Sequence, residues 1–108
     1  MGGKASRVKG HGMEREAAIA LREIFPNAQR LLEYQEGFGI DLQNTGRYDI
    51  QCKAYKKYVS MNTYHEIPKK PGRVPVLVAK GDRQPWLVTL SFSDFKELLC
   101  LIESKKLS

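Results

Sequence analysis

Three polar side chains, Asp49, Gln51 and Lys53, alternate with Tyr48, Ile50, Cys52 and Ala54 in the segment YDIQCKAY, residues 48–55. Side chains alternate across a β-strand, so the polar three share one face and the other four supply packing on the opposite one. Polar groups in such a row are commonly just the wet side of a strand. Here a further carboxylate, Asp41, lies ten residues before Gln51, on a segment that can hairpin back through the turn Asn44-Thr45-Gly46. A carboxylate, an oxygen acceptor and a lysine two residues later are what a metal-assisted phosphodiester hydrolase needs. The carboxylate is a hard oxygen ligand for Mg²⁺, or for Mn²⁺ in its place. Such a metal lowers the proton affinity of a bound water and screens the phosphate as negative charge develops. The lysine can hold that nucleophile or stabilise the charge at phosphorus, and all of these groups act best when fixed before reaction.

Glu14 adds a second carboxylate from a distant part of the chain. A helix is expected from about Met13 to Phe25, stopped by Pro26-Asn27. With successive residues rotated by about 100°, Ala18, Leu21 and Phe25 fall within about 40° of Glu14, and Ala17 some 60° away. Glu14 therefore points into the apolar stripe that should pack on a sheet, whereas Glu16, about 160° away, should be solvated. An ionised carboxylate aimed at a core is costly unless it is paired or binds a metal. A first-turn glutamate that only caps its helix or snorkels is the alternative, because the helix dipole favours negative charge there.

The remaining elements must bring these groups together. Residues 30–35 (RLLEYQ) and 40–42 can each form a short strand, separated by the loop Glu36-Gly37-Phe38-Gly39. Residues 56–72 are polar, aromatic and proline-marked, with room for a short helix of no definite position. Val74 to Ala79 reads as a buried strand and Trp86 to Leu90 as another, with Gly81-Asp82 turning between them. Ser91 or Ser93 can cap a last helix running to about Glu103, with Phe95, Leu98, Leu99 and Ile102 on its apolar face. The expected fold is α/β, a central mixed β-sheet flanked by helices, in one domain over residues 1–108 with a flexible basic arm at about 1–12.

Composition narrows the partners. Lys plus Arg number 18 against 12 acids, a formal charge of +6, which suits a polyanion because each neutralised phosphate releases counterions. The two cysteines, Cys52 and Cys100, form no disulfide framework, which fits a reduced cytoplasmic setting. No apolar run approaches the roughly 20 residues that span a bilayer, so no membrane partner is expected. His11 and His65 with the cysteines lack zinc spacing. Tyr55, Tyr58 and Tyr64, near Lys56, Lys57 and Lys69, can either stack on unpaired bases or cover the sheet.

Taken together, the motifs resemble the PD-(D/E)xK nucleases, and most closely the archaeal-type Holliday junction resolvases. In those enzymes a basic start and a lysine-glycine pair precede Glu-Arg at the head of the first helix, as in Lys9-Gly10-His11-Gly12-Met13-Glu14-Arg15 here. Their Asp-Leu after a glycine or serine loop is matched by Gly39-Ile40-Asp41-Leu42, and their Glu-x-Lys by Gln51-Cys52-Lys53. Pro75-Val76-Leu77-Val78-Ala79-Lys80 and Trp86 resemble the strands that follow. Gln51 departs from the usual acid and removes one negative charge. Mrr-type restriction nucleases also use Gln-x-Lys, so the exchange is compatible with activity, and Asp49 on the same face can restore some charge. The chain is too short to include the DNA-reading domain of Mrr-type enzymes, which favours the resolvase-like reading.

The resemblance implies a restriction-endonuclease-like core and a role for each motif residue. Asp41 is then the principal metal ligand, with Gln51 and the backbone carbonyl of Cys52 completing the site. Glu14 holds the same metal, or a second one, through water, and Lys53 positions the attacking water. Such resolvases act as two-fold homodimers that nick four-way DNA junctions symmetrically. Arg7, Lys9, Arg15, Lys56 and Lys57 are the expected phosphate contacts, which position a duplex without reading its sequence. Two alternatives stay open: a nuclease of the same fold acting in restriction or repair, and a DNA-binding protein of that fold without catalysis.

Overall fold

Strand β3 (Tyr48–Tyr55) and strand β4 (Val74–Gly81) pair in parallel along their whole length, from Tyr48 opposite Val74 to Tyr55 opposite Gly81. This computed structural model describes residues 2–31 and 39–107, with side chains over residues 12–31 and 39–105. Strand β5 (Trp86–Thr89) pairs antiparallel on the other side of β4, from Leu77 opposite Thr89 to Lys80 opposite Trp86. The mixed three-stranded sheet thus has the order β3-β4-β5. A second, two-stranded antiparallel sheet joins β1 (Gln29–Arg30) to β2 (Leu42–Gln43). Around the sheets lie helix α1 (Gly2–Leu21), the short α2 (Met61–His65) and α3 (Phe92–Leu107).

Burial follows the alternation of the strands. Tyr48, Ile50 and Cys52 of β3 and Val74, Val76 and Val78 of β4 pack with Met13, Ala17 and Ala18 of α1. On the opposite face Leu77 packs with Tyr64 and Ile67 from the connection between β3 and β4. β4 is covered on both faces, as expected for the central strand of a parallel pair. Burial of a side chain such as Leu77 or Ile50 contributes about 1.5–3 kcal/mol. Pro75 fits within this strand for a geometric reason. The Val74 N–H points to β3, donating to the Arg47 carbonyl at 2.8 Å. The missing N–H of Pro75 therefore faces β5, whose pairing begins only at Leu77.

Sequence expectations and structure differ mainly at element ends. α1 begins well before Met13 and stops at Leu21 rather than at Phe25. The Ile24 and Phe25 N–H groups both donate back to the Leu21 carbonyl, and the Arg22 guanidinium reaches forward to the Ala28 carbonyl at 2.9 Å. The chain thereby turns early and sends Phe25 onto Tyr48, with ring centroids 6.3 Å apart. Of the first strand expected at 30–35, Arg30 belongs to β1, while residues 32–38 lie outside the described residues. The arm at 1–12 lies, except for Gly12, among residues whose side chains are not described. Ser91, not Ser93, caps α3, its hydroxyl accepting from the Asp94 N–H at 3.1 Å. The short helix of the middle segment is α2, started by Ser60, whose hydroxyl accepts from the Asn62 N–H at 3.1 Å. No described helix is long and apolar enough to cross a membrane.

The turn between β2 and β3 demands its residues. Asn44 and Gly46 both adopt positive φ, 63° and 62°. A Cβ on Gly46 would stand 2.9 Å from a ring carbon of Phe25. Gly46→Ala is expected to cost at least about 1–2 kcal/mol from the left-handed backbone alone, with displacement of Phe25 adding to it. Urea denaturation measures this, and an unchanged midpoint would refute the account.

Candidate active site

Asp41 is fixed by three hydrogen bonds before any ligand is considered. Its N–H donates to the Ile50 carbonyl at 2.7 Å, and its carbonyl accepts from the Leu31 N–H at 2.9 Å. Its carboxylate Oδ2 accepts from the Cys52 N–H at 2.7 Å. The first two bonds hold residue 41 between the β1 segment and the edge of β3 that faces away from β4. The third turns its side chain along that edge. N–H and C=O groups of alternate strand residues project to the same side. Ile50 and Cys52 therefore both present their backbone polar groups to Asp41, and the Cys52 carbonyl projects to the edge where the carboxylate lies.

Glu14 comes from α1, close enough for its charge to act on Cys52. It is half-buried between the buried Met13 and Ala17, while Glu16 is exposed, as the helical phase requires. The Cys52 thiol registers both carboxylates. Its pKa is raised well above the ordinary range, chiefly by burial, then by the negative charges of Asp41 and Glu14. Two acids 27 positions apart in sequence thus act on one sulfur atom. Cys52 itself packs against the core beneath α1 and, held protonated, is a poor nucleophile.

Gln51 sits on the other face of β3, half-buried. Its side-chain Oε1 is fully buried and accepts no hydrogen bond from any described residue. A buried carbonyl oxygen without a donor is unfavourable by about 1–3 kcal/mol. An oxygen-seeking cation on that face of β3, opposite the one that α1 covers, would satisfy it. The donor set of Asp41, Gln51, the Cys52 carbonyl and Glu14 consists of hard oxygens only, which fits Mg²⁺ or Mn²⁺ in character. Among the described residues no group of three His, Cys, Asp or Glu side chains is placed to hold a metal ion. The glutamine in place of an acid leaves this set one carboxylate short. Lys53, two residues on and on the face of Gln51, is exposed.

Asp49 does not join this set. It is 4% exposed, and its Oδ1 accepts from Arg73 Nη2 at 2.6 Å and Nε at 2.9 Å. Its charge is matched by the guanidinium rather than added to the site. Arg73 went unnoticed in the sequence because a contact across 24 positions leaves no local pattern. Tyr64 is buried on the sheet, whereas Tyr58 is 81% exposed. Gly39, at the head of the Gly-Ile-Asp run, has φ 73°, and its Cα faces the Glu66 carbonyl so closely that a Cβ would stand 2.9 Å from it. The glycine in front of Asp41 thus lets the chain pass under the end of α2.

A cleft of about 340 Å³ opens at the carboxyl ends of β3 and β4, lined by Gly12, Met13, Glu16, Ala54, Tyr55 and Lys80 among others. It adjoins the site along β3 without including Glu14 or Asp41. Arg15, Lys56 and Lys57 are exposed. The side chains of Arg7 and Lys9 lie outside the described residues.

The two cysteines give a test of this geometry that needs no activity. At mildly alkaline pH a thiol reagent should modify the exposed Cys100 promptly and Cys52 only slowly. Glu14→Gln and Asp41→Asn each remove a charge that holds the proton on Cys52, so each should speed its modification severalfold. Rates unchanged in both variants would mean that the carboxylates do not meet there. In comparisons with known proteins, no family model, no curated protein and no solved structure matches this chain.

Proposed function

We propose that the protein is a metal-dependent, structure-selective DNA endonuclease, acting on four-way junctions as a homodimer. The observation that carries this reading is the Asp41 carboxylate held on the Cys52 N–H at 2.7 Å, with a buried carbonyl oxygen on the adjoining Gln51 to which no described residue donates. A bound Mg²⁺ would supply charge screening at the phosphate and a more acidic water. Asp41, Gln51 and the Cys52 carbonyl are the residues that would hold it, with Glu14 completing the set from the helix side. Lys53 orients the attacking water or stabilises the charge at phosphorus. The net charge of +6 supports a polyanionic partner, and the exposed Arg15, Lys56 and Lys57 offer phosphate contacts. Contacts of this type select for shape rather than sequence.

A second reading rests on Gln51. With one acid fewer, the same fold can bind branched DNA without cutting it, and cutting of flaps or duplexes in place of junctions would indicate another nuclease of the same general design.

Labelled junction, flap and duplex DNA incubated with Mg²⁺ or Mn²⁺, and with EDTA, separates these readings. The proposal expects paired, symmetric nicks in the junction that vanish with EDTA. Binding with no metal-dependent cutting would overturn the enzymatic reading. Asp41→Ala or Lys53→Ala should lower cutting by at least about 100-fold while junction binding survives, and Gln51→Glu should keep or raise activity. Lys56→Ala and Lys57→Ala should each weaken binding to all DNA forms alike and reduce the slope of log affinity against log salt by about 1. A slope that does not move removes that lysine from the interface.

A further inference from the structure

The face of the sheet on which α1 packs is not covered as far as β5. Met13, Ala17 and Ala18 pack with Cys52 of β3 and Val78 of β4, whereas Val88 of β5, opposite Val78, is 58% exposed. One row further along stand Ala54, Lys80 and Trp86, paired in register across the three strands. Their side chains share that same face. Ala54 and Lys80 line the cleft of about 340 Å³ from the sheet, and Gly12, Met13 and Glu16 line it from α1. At Gly12 the helix presents no side chain, and a Cβ there would meet nothing within 4 Å. Lys80 is half-buried, and its Nζ stands 6.0 Å from the ring centroid of Trp86, which sets the indole on the β5 side of the cleft. Among the described residues no carboxylate is paired with Lys80.

These groups together suit one kind of ligand. A half-buried ammonium without a carboxylate partner calls for an anion. An indole that is 37% exposed and steadied by a cation over its ring offers a flat apolar surface. Glu16 and Asp82, both exposed at the cleft, are acceptors for N–H donors. A phosphate joined to a heterocycle with amino groups presents all three partners. We infer that the cleft binds one unpaired nucleotide, its phosphate on Lys80, its base against Trp86 and its amino group toward Glu16 or Asp82. The volume lies at the small end of the range for small-molecule sites, about 300–1,000 Å³, so it admits a single nucleotide and not a duplex. The location agrees, because ligands of α/β sheets bind outside the carboxyl ends of the parallel strands, and β3 and β4 both end here. A base stacks on an aromatic side chain only after it has left its own stack. The inference goes beyond the proposed endonuclease, since it calls for neither metal nor cutting.

Trp86 is the only tryptophan of the chain, so its fluorescence reports on the cleft directly. In EDTA, a short oligodeoxyadenosine strand should quench it saturably, and deoxyadenosine monophosphate should do the same. Inorganic phosphate, and the same strand paired in a duplex, should quench far less at equal concentration. A strand that binds more tightly than the mononucleotide identifies the ligand as a unit of single-stranded nucleic acid; equal affinity identifies it as a free nucleotide. With a labelled strand followed by anisotropy, Trp86→Ala should weaken binding by about tenfold or more, and Trp86→Phe should restore most of it. Lys80→Gln should reduce the slope of log affinity against log salt by about 0.7. Gly12→Leu fills the cleft at a position where a helix gains from losing its glycine, so binding should be abolished with thermal stability kept or raised. No quenching by strand or mononucleotide, quenching by the duplex equal to that by the strand, or full binding by Gly12→Leu would each overturn the inference. Saturable quenching in a protein that cuts no DNA would leave it standing and remove only the nuclease reading.

Discussion

The structure turns on the way one acidic residue is held at the edge of β3 that faces away from β4. Asp41 is bonded through its own N–H, its own carbonyl and its side chain, and two of these three bonds go to β3. A carboxylate accepting a backbone N–H makes a stronger bond than a neutral acceptor, worth about 1.5–3 kcal/mol. The bond does two things at once. It gives the Cys52 N–H a partner where no described strand continues, and it prevents the carboxylate from turning out to solvent. The small β1–β2 sheet exists largely to deliver that residue: each of its strands is only two residues long.

Around this anchor the environment is uneven in a way that suits chemistry. On the helix side a half-buried glutamate lends its charge to a half-buried thiol that packs against the core. On the other side an amide oxygen lies buried without a donor among the described residues while a lysine stands in solvent. The site is thus short of positive charge in its interior and of negative charge on its rim. Asp49, the acid nearest in sequence to Gln51, is neutralised by Arg73 and so leaves this imbalance in place.

Much of this was legible in the sequence, for identifiable reasons. β3 was readable to the residue because alternation is a local signal, strongest where one face is polar and the other packs. The inward turn of Glu14 followed from helical phase alone. The early end of α1 was not readable, because it depends on Arg22 finding the Ala28 carbonyl and Phe25 finding Tyr48, both tertiary contacts. α2 escaped because five residues are too few to show a period, with Ser60 its only local mark. The apolar face of α3 was readable from its spacing, but the exposure of Phe95, Leu99 and Ile102 was not, because amphipathic spacing shows that a face is apolar, not what covers it.

The pairing pattern also orders how the molecule comes together. Asp41 meets Ile50 and Cys52 within one hairpin, a closure of few residues, whereas β4 reaches β3 only after the chain has passed through residues 56–73. Short closures lose less chain entropy and form sooner. The edge that holds Asp41 against Ile50 and Cys52 is therefore local and early, and the parallel partner that stiffens it arrives late. None of the bonds from Asp41 to Ile50 and Cys52 uses β4 or β5, so opening of those two strands takes away the long-range pairing of the sheet without removing a single partner of the acidic corner.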